Sequence, residues 1–91
     1  MSTATKKYSQ KVSVTETQQT ITLPRLSYIE LINVGNYDAF FEFENDIDAN
    51  STVLLVRSSA KYPADFIDVR LKCAAGQTAT VYLTGLKHFK S

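Results

Sequence analysis

The sequence predicts an all-β chain: a single-domain antiparallel β-sandwich, jelly-roll or Ig-like, of seven to eight short strands with an extended N-terminal arm. Three observations predict it. Apolar residues recur at every second position in run after run, the period that puts alternate side chains on one face of a strand. No stretch carries a helical period through three turns. Ninety-one residues suffice for one domain and not for two, and a chain this short buries only about 60–65% of the surface its unfolded form exposes, so the core is thin.

Each element follows from local pattern. The first ten residues are polar, carry Lys6 and Lys7, and show no strand pattern before Tyr8. They read as an arm over residues 1–10 that lies against a neighbour, ahead of a sandwich domain over residues 11–91. Val12 and Val14 then alternate with Lys11, Ser13 and Thr15, and Ile21 and Leu23 with Thr20 and Thr22 until Pro24 stops the run. Ile29 and Leu31 lead into Gly35-Asn36, and Phe41 and Phe43 lead out. The run "TVLLVR" at 52–57 is continuous and apolar, as in a strand covered on both faces. "ADFIDVRLKC" sets Ile67, Val69, Leu71 and Cys73 on one face, and "QTATVYLTG" does the same with Ala79, Val81 and Leu83. β-Branched and aromatic residues are enriched in these runs, as pleated surfaces favour. Such strands, separated by turn signals, make a sandwich or a small barrel.

Parity specifies the turn at Gly35. A two-residue hairpin loop places Ile29 opposite Glu42 and mixes charge with core. A three-residue loop, Gly35-Asn36-Tyr37, pairs Leu31 with Phe41 and Ile29 with Phe43. Gly and Asn tolerate the positive φ of such a bulged loop. The odd loop is therefore expected, with Ile29, Leu31, Ala39, Phe41 and Phe43 on the core face. Ile32, Val34 and Phe40 then fall on the outer face, and Phe66 and Tyr82 fall on the outer faces of their own strands. Scattered exposed apolar residues need no explanation, but a contiguous outer patch implies a protein partner. Together with the arm, this makes Lys6, Lys7, Tyr8, Ile32, Val34, Phe40, Phe66 and Tyr82 the expected interface residues.

Sites for chemistry fare poorly. "DIDAN" offers Asp46, Asp48 and Asn50 like the start of an EF-hand loop, yet Ser51 stands where its glycine belongs and Arg57 where its glutamate belongs. A solvated acidic turn is the simpler reading. His88 is the one histidine and sits near the C-terminus without a glycine-framed nucleophile. One histidine and one cysteine do not make a zinc site, and Cys73 reads as a small buried hydrophobe. Glu42 and Glu44 share a face, but a chain this size has little room for a glycosidase cleft. No catalytic, cofactor or metal site is expected. The asparagine of "NST" at Asn50 matches a glycosylation pattern without a secretion signal ahead of it.

Ten basic against nine acidic residues give a net charge of +1, so no bulk attraction to nucleic acid or anionic lipid is expected. Basic residues gather only at Lys6-Lys7 and in the tail at Lys87 and Lys90. Arg57, Lys61 and Tyr62 interleave as in single-strand binding surfaces, against which the near-zero charge argues. No apolar run approaches the ~18–20 residues of a membrane span. A single cysteine precludes an internal disulfide and fits assembly in a reducing cytosol.

A strand ending in "INVGN", a turn into the aromatic strand "DAFFEF", and "CAAGQTATVYLTG" near the C-terminus together resemble small virion proteins of tailed bacteriophages. The likeness spans residues 28–85. Those proteins are compact β-sandwiches that decorate or cement capsids, or sit in the tail and its fibres. No site-defining motif is shared, so no functional residue is carried over. The resemblance implies a non-enzymatic capsid decoration or cement protein, located in a virion assembled in the host cytoplasm. Its partners would be the major capsid protein or another virion protein, and further copies of itself as a dimer or trimer. Neither nucleic acid, membrane nor cofactor is implied. The alternative is a tail-fibre or carbohydrate-binding module that stacks sugars on Tyr37, Tyr62 and Tyr82.

Overall fold

A computed structural model describes the backbone of residues 3–63 and 66–90, and the side chains of residues 7–63 and 66–87. Among them every regular element is a strand: β1 (Thr3–Val14), β2 (Gln19–Thr22), β3 (Leu26–Asn33), β4 (Ala39–Phe43), β5 (Thr52–Leu54), β6 (Ser59–Pro63), β7 (Asp68–Lys72) and β8 (Ala79–Lys90). They form two four-stranded sheets, A in the order β1-β8-β3-β6 and B in the order β2-β7-β4-β5. Four antiparallel pairs are nested in the sequence: β1 with β8, β2 with β7, β3 with β6 and β4 with β5. That nesting is a long hairpin rolled up into two facing layers. The fold is a jelly-roll β-sandwich rather than an Ig-like one.

Alternation supplies the core from both sheets. Val12, Val14, Ile29, Leu31, Val81 and Leu83 face inward from sheet A, and Ala39, Phe41, Leu54, Val69 and Leu71 from sheet B, all buried. Burying one such large aliphatic chain contributes about 1.5–3 kcal/mol. Cys73 is buried among them, and its amide donates to Thr15 O at 2.8 Å. One open side is plugged by aromatic rings from both layers. Tyr62 of β6 meets Phe41 and Phe43 edge-on with centroids at 5.9 and 5.3 Å, and Phe66 stacks on Phe43 at 4.0 Å.

Parity is right on both sides of Gly35 and the hairpin between them is not. β3 belongs to sheet A and β4 to sheet B, so Leu31 and Phe41 face each other across the core instead of pairing side by side. The connection crosses from one layer to the other over the start of β8. Gly35 is needed there for space rather than for positive φ: a Cβ on it would lie 2.7 Å from Thr80 N and 2.9 Å from Ala79 Cα. Neither Gly35 nor Asn36 takes the left-handed conformation; the non-glycine residues that do are Glu44 and Arg57, at the ends of other turns.

Asn33 holds the crossing. It is fully buried, and its Nδ2 donates to Tyr37 O at 2.9 Å and to Leu54 O at 3.0 Å. Its Oδ1 accepts from Gly35 N at 2.9 Å. Its own backbone bonds Ser58 O and Arg57 N, both at 3.0 Å. The side chain thus satisfies groups in sheet B and in the β3–β4 loop, and the backbone of the same residue those of the β5–β6 turn.

Three other expectations change. Residues 3–10 are not an arm set apart from the domain: they continue β1 without a break and pair with β8 from Thr3↔Lys90 to Gln10↔Leu83. Polar residues suffice there because β1 is an edge strand and needs apolar side chains only where it overlies the core. The run at 52–57 is not covered on both faces. Its strand, β5, is the edge of sheet B, with Val53 and Leu55 exposed. Ile67 is 69% exposed, since β7 begins at Asp68 and the inward alternation starts only at Val69.

Replacing Asn33 by Ala leaves two carbonyls and an amide without their partner and opens a small void. The expected loss is about 2–4 kcal/mol. Chemical denaturation measures it, and a loss below about 0.5 kcal/mol would remove the staple from the account. Deleting residues 1–10 strips β8 of its neighbour and Tyr8 from the edge of the core. A fall of about 5–10 °C in the thermal midpoint is expected, following the usual relation for a domain of this size. An unchanged midpoint would restore the arm reading.

Candidate interaction surfaces

The residues expected at an interface do not form one patch. Ile32 and Tyr82 are register neighbours on the outer face of sheet A, in a row that runs Lys11, Tyr82, Ile32, Ser59. Phe40 lies on the opposite side of the molecule, on the outer face of sheet B between Lys72 and Val53. Phe66 is partly buried, packs against the core and stacks on Phe43. Tyr8 is half-buried against the core opposite Gly85; burial raises its phenol pKa, and its hydroxyl donates to Gln10 Oε1 at 2.7 Å. Close approach of Tyr28 O leaves no room for a Cβ at Gly85. Lys7 is exposed on β1, while the side chain of Lys6 and those of residues 88–90, His88 included, lie outside the described residues.

Among the described apolar side chains of that set, Val34 is the one that is exposed rather than half-buried. It is 51% exposed, and Tyr37, Val53 and Leu55 are 47%, 41% and 57% exposed. Val34 and Tyr37 belong to the β3–β4 loop, Val53 to the edge strand β5 and Leu55 to the residue just after it, and Asn33 ties the loop to β5 through Tyr37 O and Leu54 O. Alternation alone misses this cluster, because the four are neighbours only after the chain crosses between sheets. The three tyrosines considered as sugar platforms do not share a surface. Tyr37 sits at this end, Tyr82 on the outer face of sheet A, and Tyr62 inside the aromatic plug.

A second surface is an open groove of about 530 Å³ over one end of sheet B. Glu16 of the β1–β2 turn, Ile47 and Asp48 of the acidic loop, Phe40 of β4 and Lys72 of β7 line it. The loop beside it, residues 44–51, is held by its own polar groups. Asp48 N donates to Ser51 Oγ at 2.9 Å, and Asp48 Oδ1 accepts from Asn50 N at 2.8 Å. Gln18 donates to Asp46 Oδ1 at 3.1 Å and accepts from Ile47 N at 2.8 Å. Arg70 adds an ion pair, Nη1 to Asp46 Oδ1 at 2.7 Å; its Nε stands 3.4 Å from Asp68 Oδ1 without making a hydrogen bond. The Gln18 hydrogen bond, and after it Arg70, hold the Asp46 carboxyl below its usual range. Among the described residues no group of three or more His, Cys, Asp or Glu is placed to hold a metal ion. Cys73 has its thiol pKa raised by burial.

The third surface is made by pairing two segments far apart in sequence. Lys6 stands opposite Lys87, and Thr3 opposite Lys90. β3 pairs with β8 no further than Leu26↔Lys87, so beyond that point β1 and β8 continue as a two-stranded ribbon. The ribbon runs from Lys6↔Lys87 to Thr3↔Lys90, about 13 Å of strand.

No protein-family model, curated protein or solved structure matches this chain.

Because the folded-state pKa of Asp46 lies below its unfolded value, the Asp46–Gln18–Arg70 contact stabilises the fold above the ordinary carboxylate range. That contribution disappears as the pH falls through the folded value. An Asp46→Asn variant should melt slightly below wild type at neutral pH, and the gap should close in acid. A pH-independent gap in the thermal midpoint would show that charge at Asp46 is irrelevant to it.

Proposed function

We propose that this chain is a non-enzymatic structural protein of a virion, of the capsid decoration or cement kind, that works by laying its surface across joints in a larger shell. The observation that carries the reading is the gathering of Val34, Tyr37, Val53 and Leu55 at one end of the sandwich, four of the five large hydrophobic residues exposed among those described. A concentration of apolar surface on a small chain marks a protein-binding site more than it marks catalysis. The sequence resemblance to small virion sandwiches points the same way. Viral capsid and lectin domains both use the jelly roll, so fold alone does not separate a cement protein from a glycan-binding fibre module. The separation of Tyr37, Tyr62 and Tyr82 favours the former.

In this reading the protein stabilises a shell by burying apolar area on both sides of a subunit joint. The rigid attachment of the β3–β4 loop and β5 through Asn33 means that little ordering entropy is lost on docking. The purified protein is expected to pellet with capsid shells assembled without it. A Tyr37→Ser/Leu55→Ser variant should remain folded and bind at least about tenfold more weakly, as loss of two central anchors implies. Protein that stays in the supernatant with shells but binds a glycan array would overturn the proposal.

A further inference from the structure

We propose that the outer face of sheet A binds single-stranded nucleic acid. This face is separate from the apolar end used in the shell reading, and the inference goes beyond that reading. The rungs of the sheet fix what the face carries. Ile29, Leu31, Val81 and Leu83 point inward, so their neighbours in the chain point out. One row across the four strands is Lys11, Tyr82, Ile32 and Ser59, and the next is Ser9, Thr84, Glu30 and Lys61. Past Ser9 on the same side of β1 stands Lys7, opposite Leu86. Lys7, Lys11 and Lys61 are exposed. They lie on the two edge strands, β1 and β6, while Tyr82 lies on β8 in the middle of the sheet.

Net charge hides this arrangement. Glu30 is the one acidic residue in any strand of sheet A, so three exposed lysines on the outer face meet a single carboxylate. The outer face of sheet B is different. There Glu42 and Asp68 balance Arg70 and Lys72, and Arg70 is already paired with Asp46. An anion is therefore drawn to sheet A and not to sheet B.

Tyr82 decides which anion. Nucleic-acid bases stack on aromatic side chains that stand out from an open four-stranded sheet, and flanking cations hold the phosphates. Tyr28 has another task, because Lys61 Nζ lies 4.3 Å from its ring centroid. That contact holds the Lys61 ammonium over the sheet instead of letting it swing into solvent. Lys7 and Lys11 are four residues apart on β1, about 13 Å, so they can hold separate phosphates. Glu30 repels a phosphate at mid-sheet. The backbone is thus set along the β1 margin, with its bases turned inward over Tyr82. A duplex offers no free base to the ring and meets the lysines only.

Fluorescence anisotropy with labelled oligo-dT and oligo-U of about 12 nucleotides, within the usual range of site sizes, tests this. Binding of either carries the proposal, and the pair distinguishes DNA from RNA. At about 50 mM salt a single strand should bind at least about tenfold more tightly than a duplex of equal length. The logarithm of affinity should fall with that of salt at a slope of about −2, as three phosphate contacts to a single strand imply. A Lys7→Ala/Lys11→Ala/Lys61→Ala variant should flatten that slope. Tyr82→Ala should weaken binding at least about tenfold at an unchanged thermal midpoint, and Tyr82→Phe should restore it, because the ring and not the hydroxyl does the stacking. Absence of binding at low salt would overturn the inference. So would binding that Tyr82→Ala leaves intact, or a polyglutamate chain that competes as well as unlabelled oligonucleotide, since either result marks an acidic protein surface as the partner. Pelleting with capsid shells reads the shell proposal through Tyr37 and Leu55, so each idea can fall alone.

Discussion

Pairing of the two ends of the chain, rung by rung from Thr3↔Lys90 to Val14↔Ala79, is the constraint on which the molecule is built. It closes the rolled hairpin, and it places Val12 beside Val81 so that β1 and β8 present one inner surface to sheet B. Long-range pairing of this kind is entropically expensive, because nearly the whole chain lies between the partners. The inner residues offset that cost only where they overlie sheet B. Beyond Leu26 the pair continues with its own hydrogen bonds alone. The same rungs thus serve as core at one end and as projecting surface at the other.

A sandwich this thin cannot hold its layers together by apolar contact alone at the places where the chain passes between them. Asn33 meets that need with a buried amide whose two donors and one acceptor are all engaged. A buried polar group left unpaired costs more than a paired one contributes, so the residue specifies one crossing geometry and penalises others. That geometry sets the β3–β4 loop beside β5 and brings Tyr37 to the same end as Leu55. The loop at residues 44–51 follows the same logic on the surface. Asp48, Ser51, Gln18 and Asp46 bond its backbone and one another, and the groove wall it forms is correspondingly fixed.

Most of the layer structure was legible in the sequence, because side-chain alternation is a local property: Val12, Ile29, Leu31, Phe41, Val69, Leu71, Val81 and Leu83 all point inward as their parity requires. Which strands are neighbours was not. A short loop carrying Gly-Asn between two alternating runs has the same local chemistry whether it closes a hairpin or crosses between sheets. The distinguishing fact, the close approach of Gly35 to Ala79 and Thr80, depends on residues far along the chain. β5 was misread for a related reason, since an apolar run looks the same in a central strand and in an edge strand with apolar residues left exposed. Of the interface residues, Val34 was legible as exposed. Its companions were not, and Phe66 was lost to the aromatic plug, a packing arrangement that alternation cannot express.

The lysines of β1 illustrate how charge protects an exposed strand edge. A twelve-residue edge strand exposes a row of unpaired backbone groups that invites a second copy to extend the sheet. Two such strands approaching edge to edge in antiparallel register would bring Lys6, Lys7 and Lys11 of one against those of the other. Lys7 and Lys11 are exposed on that strand and in position to oppose such pairing. Symmetric sheet extension is thereby disfavoured. Every acidic residue lies between Glu16 and Asp68, outside the two end strands, so the charge of the chain is divided between its ends and its middle.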